Sequence, residues 1–250
     1  MARLVPIRAQ AVKHNIIQQR GNVLFLILLG VVLFAALSYA VTQNFGGGNA
    51  ALSQSSLKAY ANDVIFTAAS YEKAVNKLIS RGVSENRISF TRASGDGYEL
   101  TPASSASEQV FNVAGGGANY LDPPSDVLDN AHSGEAGFGK WVFTGNNIVN
   151  GVGTAVTGDL IAMLNYMRRD VCIFINEELG ITNPSGEPPQ DLSIVQLNSR
   201  FTGTNFGTRE ILDTDNYLYG KKTGCFRGNN NHSGADISNQ YFFYYVLYAR

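Results

Sequence analysis

The strongest feature of the hydrophobic pattern is an almost unbroken apolar run, Val23 to Val41 (VLFLILLGVVLFAALSYAV), interrupted only by Gly30, Ser38 and Tyr39. As a helix, about nineteen residues at 1.5 Å each span about 28 Å, close to the hydrocarbon thickness of a bilayer. A core helix of that length normally keeps a polar face, so the run predicts a transmembrane helix over 22–45. Gly46-Gly47-Gly48 then predicts a break over 46–49. From residue 50 to 81 the pattern changes. Leu57, Tyr60, Ala61, Val64, Ile65, Ala68, Tyr71, Val75, Leu78 and Ile79 recur at three- and four-residue steps, which predicts an amphipathic helix. Asn49 or Ser53 suits its N-cap and Gly82 its C′ position.

Beyond Gly82 the pattern favours strands and loops. Arg87–Thr91 alternates polar and apolar residues, Gln109–Val113 does so less cleanly, and Trp141-Val142-Phe143 is a short apolar run. Each is a strand candidate. A second helix is predicted over 158–179, with Leu160, Met163, Leu164, Met167, Val171, Phe174, Ile175 and Leu179 on one face, Thr157 as cap and Gly180 as terminator. Ser193–Phe201 reads as a strand. Lys221–Phe226 and the aromatic run Tyr241–Ala249 read as a hairpin with a long polar loop. The expected fold is α+β. A long N-terminal transmembrane helix leads to an antiparallel sheet, packed with one or two helices and closed by one disulfide.

Charge sharpens the division at the apolar run. Residues 1–20 carry Arg3, Arg8, Lys13 and Arg20 and no acid, whereas the rest of the chain is mildly acidic. A basic flank stays cytoplasmic, which sends the C-terminal bulk outward. The expected organisation is a cytoplasmic basic leader over 1–21, the membrane segment over 22–45, the glycine break, and an extracytoplasmic domain over 50–250. The acidic body offers no electrostatic footprint for nucleic acid. The chain has two cysteines, Cys172 and Cys225. With an export signal they read as one disulfide; without that context they would be two buried thiols.

Three fates fit the apolar segment: an uncleaved anchor, a signal peptide cleaved after Ala40 in Ser38-Tyr39-Ala40, or a prepilin-like signal. The third rests on resemblance. QQRGNVLFLILLGVVLFAALSYAVTQ resembles the N-terminus of type IV pilins and type II secretion pseudopilins, over the first third of the chain only. The resemblance implies cleavage by prepilin peptidase between Gly21 and Asn22. It implies a place in the inner membrane with the domain in the periplasm, and partners that are the lipid bilayer and other pilin-like subunits. The family usually begins its mature chain with Phe or Met and carries Glu at the fifth mature position. Here Asn22 and Leu26 stand at those places, which fits a minor or tip subunit and fits a plain membrane anchor equally well.

Catalytic sets are absent from the sequence. His14 lies in the leader, and His132 and His232 each open a His-Ser-Gly triplet in a polar stretch. No G-x-S-x-G, H-E-x-x-H, P-loop or dinucleotide motif occurs. Asp122, Asp126 and Asp129, and separately Asp213, Asp215 and Asn216, are oxygen-rich stretches of the kind that can hold calcium, without EF-hand spacing. Solvated turn acids are the ordinary reading of both. The expected function is structural and non-enzymatic: a subunit of a type IV pilus-like filament or secretion apparatus. The alternative is an anchored or secreted periplasmic ligand-binding domain.

Overall fold

The computed structural model describes residues 25–35, 52–154, 156–190, 199–204, 216–228 and 239–250. They fall into two units, 1–51 and 52–250. In the first, residues 25–35 form a helix (α1) with exposed apolar side chains. This corrects the expected long N-terminal helix. At 1.5 Å per residue the described stretch of α1 covers about 16 Å. Among the described residues no helix is long and apolar enough to cross a membrane. Residues 22–24 and 36–45 lie outside the described ones. The helix that follows is a separate element with its own cap. Ser53 has extended backbone (φ −63, ψ 153), and its hydroxyl accepts from the Ser56 N–H.

That helix, α2, runs Gln54–Ser80, as its apolar spacing predicts. It buries Ala61, Val64, Ala68, Tyr71, Val75 and Leu78 and ends where Gly82 takes a left-handed φ of 83°. Its buried face lies on an antiparallel sheet of four strands, ordered β1-β2-β4-β3: Trp141–Asn147, Asp159–Met167, Tyr241–Tyr248 and Thr223–Arg227. The β3–β4 hairpin and the Trp141 strand follow the sequence pattern. One sheet face carries Trp141, Phe143, Leu164 and Phe243 against α2. The other carries Val142, Ile161, Met163, Phe242 and Tyr244 in a second cluster.

The helix predicted over 158–179 is two elements. Residues 159–167 are the central strand β2, and only Arg169–Glu178 is helix (α3), entered through the extended Arg168. All nine residues of β2 are buried, because β1 and β4 flank it and both sheet faces are covered. Such a strand loses polar–apolar alternation and imitates a buried helix in sequence. Its side chains do alternate in space: Leu160, Ala162 and Leu164 face α2, and Ile161 and Met163 face away. The alternation breaks at a bulge before Met167, where Tyr166 takes a φ of 58°.

Two further strand expectations are corrected. Residues 87–91 and 109–113 meet only in one parallel bridge, Ser89 to Gln109, outside the sheet. Their apolar residues Ile88, Phe90 and Val110 join the core as loop residues. Of the expected strand 193–201, residues 193–198 lie outside the described ones, and 199–201 are irregular. The disulfide expectation holds: Cys172 on α3 is bonded to Cys225 on β3, with Cα atoms 5.4 Å apart.

Candidate functional site

A sheet covered by helices can offer two kinds of surface: strand edges and the outer faces of its helices. Both sheet edges here are occupied from within. Along β1 the Trp141 N–H donates to the Tyr120 hydroxyl and the Phe143 N–H to the Tyr98 hydroxyl, each at 3.1 Å. The Phe143 carbonyl accepts from the Phe201 N–H at 2.9 Å. Burial pushes both tyrosine pKa values up, so the hydroxyls stay neutral. Along β3 the Asn176 side chain pairs with both backbone groups of Cys225, and the Arg227 N–H donates to the Pro189 carbonyl. Occupied edges do not template further strands.

The outer face of α2 is different. Phe66 is 73% exposed on it, flanked by two shallow depressions. One is formed by Ala59, Asn62, Ile65 and Ala69. The other is formed by Ser70, Lys73, Ala74, Gly116, Ala118 and Leu121. The second is a constructed surface. Leu121 is pinned through its backbone: its N–H donates to the Tyr71 hydroxyl at 3.0 Å, and its carbonyl accepts from the Trp141 indole at 3.1 Å. Tyr71 and Trp141 are themselves buried, and burial raises the Tyr71 pKa to about 12. The pinned backbone leaves the Leu121 side chain 54% exposed beside α2. The neighbouring loop is tied down by Lys77, which donates to the Gly116 carbonyl at 3.0 Å, and by Arg81, which donates to the Ala114 and Gly115 carbonyls. Gly116 permits this approach, since a Cβ there would lie 2.4 Å from the Val110 carbonyl oxygen and 2.9 Å from the Ala74 Cβ.

Charge surrounds the exposed ring. The Lys73 ammonium lies 5.9 Å from the Phe66 ring centroid, and Asp63 lies a turn before Phe66. Among the described residues neither Asp63 nor Lys73 has an ion-pair partner. An exposed apolar ring between opposite charges is a surface suited to protein contact.

The residues singled out in sequence distribute as follows. Gly21, Asn22, Asp213, Asp215, His14 and His232 lie outside the described residues. Asn216 sits at a left-handed φ of 62°. Asp126 accepts from the Tyr60 hydroxyl at 2.5 Å, and Asp129 caps a short turn through the Ala131 N–H. His132 stacks on Tyr166 at 5.2 Å, with Asp129 3.9 Å away. Among the described residues no three acidic, cysteine or histidine side chains are grouped to hold a metal ion. The knob at Phe66 went unread in sequence, although its signal was there: a large aromatic on the polar side of an amphipathic pattern. No protein-family description, curated protein or solved structure matches the chain.

Proposed function

We propose that the chain is a structural, pilin-like subunit of a type IV pilus-like filament or secretion apparatus, a minor or tip component, exported so that residues 52–250 act outside the cytoplasm. The observation that carries this reading is Arg20-Gly21 placed directly ahead of the apolar run Val23–Val41 in an otherwise basic, acid-free leader. The folded domain supports it by what it offers. Its sheet edges are occupied, its cysteines are joined, and its most exposed helical aromatic, Phe66, stands on an outward face. With its edges closed, the domain leaves the outward face of α2 as its surface for contact. The proposal assigns no catalytic residue and no cofactor. It places the subunit in the inner membrane before assembly, with prepilin peptidase as processing partner.

The test is the mass of the N-terminal peptide of the mature protein from native cells. A start at Asn22 is expected. A start at Val41 or Met1 would overturn the reading, and would favour a secreted or anchored binding domain instead. Replacing Gly21 by a residue that blocks cleavage should then retain the leader and abolish incorporation.

A further inference from the structure

Ala59, Asp63, Phe66, Ser70, Lys73 and Lys77 follow one another along the outer face of α2 at alternating steps of four and three. That spacing sets them along one seam of the helix, on the face that the domain does not bury. We propose that this seam meets its own copy: two chains pair through α2, antiparallel, about a twofold axis passing between Phe66 and Ser70.

Charge sets the direction. Asp63 and Lys73 are equidistant from Ala68 in sequence, so an antiparallel pair places each Asp63 opposite the second copy's Lys73, twice by symmetry. A parallel pair in register would set Asp63 against Asp63 and Lys73 against Lys73, and like charges in contact are repulsive. The same antiparallel register also accommodates the knob. Phe66 then stands opposite the second copy's Ser70, over the depression bordered by Ala74 and Leu121. Two criteria, charge and shape, therefore select one register.

The contact is small. A 27-residue helix is about 40 Å long, and one helix face with the Leu121 loop is below the roughly 800 Å² per partner of a standard stable interface. The pair is therefore weak and dependent on concentration. It is closed by its symmetry and competes with any open-ended contact made through the same face. The inference goes beyond the proposed function and does not depend on leader processing.

The test uses the full-length chain in mild detergent at low salt, by sedimentation velocity over a concentration series. A monomer–dimer equilibrium is expected. Asp63→Lys or Lys73→Asp alone should weaken it by about tenfold or more, and the double exchange should restore it. Differently tagged chains carrying Ser56→Cys and Ser80→Cys, which face each other in this register, should form a mixed disulfide. A monomer at all concentrations would overturn the proposal. So would a dimer indifferent to the charge exchanges, or cross-linking of Ala59→Cys to Ala69→Cys, which a parallel, staggered pair would give.

Discussion

The Asn176 side chain engages both backbone groups of Cys225. Its Oδ1 accepts from the Cys225 N–H at 2.8 Å, and its Nδ2 donates to the Cys225 carbonyl at 3.1 Å. Both residues are fully buried. A helix side chain thus stands in for a neighbouring strand at the outer edge of β3, one turn beyond the disulfide between Cys172 and the same Cys225. Asn183 extends the arrangement. It accepts from Asn176 Nδ2 and donates to the Ile173 carbonyl, which fixes the amide's orientation.

Asn176→Ala leaves a buried N–H and a buried carbonyl without partners. It should destabilise the domain by about 2–4 kcal/mol, measured by urea unfolding with the disulfide intact. Exposed Asn62→Ala, on α2, should change stability by no more than about 0.5 kcal/mol. Equal effects would show that the amide is not what holds the edge.

Removing the disulfide through Cys172→Ala with Cys225→Ala opens a 53-residue loop. The expected loss is about 4 kcal/mol in the chain-entropy account. In the native protein, reduction should slow migration relative to the oxidised form on a denaturing gel. The same mobility with and without reductant would mean that the bond is not formed.

Tyr98→Phe and Tyr120→Phe each remove a hydroxyl that accepts from a β1 N–H. Each should cost about 1–3 kcal/mol. The double variant should also aggregate more readily on heating, because it frees the edge of β1 for pairing. Light scattering along a thermal ramp checks this; a variant as soluble as the parent would contradict the edge-blocking role.

Glu108 is held by Arg87, with a 2.8 Å ion pair, and by the Ser105 N–H. The Arg87 contact first, then the Ser105 N–H, lowers its pKa to about 2. The folded value lies below the ordinary carboxylate value of about 4.3. Its stabilisation is therefore present above that ordinary value and is lost as pH falls toward 2. Glu108→Gln should flatten the stability–pH curve in this window and leave it little changed in shape above pH 5. An unchanged acid limb would sink the assignment.

Gly116→Ala forces a methyl against the Val110 carbonyl and Ala74. It should cost about 1–3 kcal/mol by overpacking and displace the Leu121 side of the α2 surface. Gly134→Ala, with no atom within 4 Å of the added Cβ, should be neutral or slightly stabilising. Thermal unfolding of the two variants side by side decides.

The parts legible in the sequence were those whose signal is local. Helix α2 has one buried and one exposed face, so its apolar residues repeat at the helical period and Ser53 and Gly82 mark its ends. The β3–β4 hairpin declares itself through aromatic and β-branched residues, and the cysteine pair through its context. The apolar run Val23–Val41 predicts a spanning helix by composition, yet only residues 25–35 of it are described as helix. What the tertiary structure decided was everything that depends on distant partners. Strand β2 is covered on both faces, so no alternation survives to separate it from a helix. Tyr98 finds Phe143 across 45 residues and Asn176 finds Cys225 across 49. Phe66 stands on the polar side of the α2 pattern, but the depression beside it exists only once residues 116–121 lie against the helix. A residue's own type sets which backbone it favours, but which groups lose water, and against what, is settled only when the chain closes on itself.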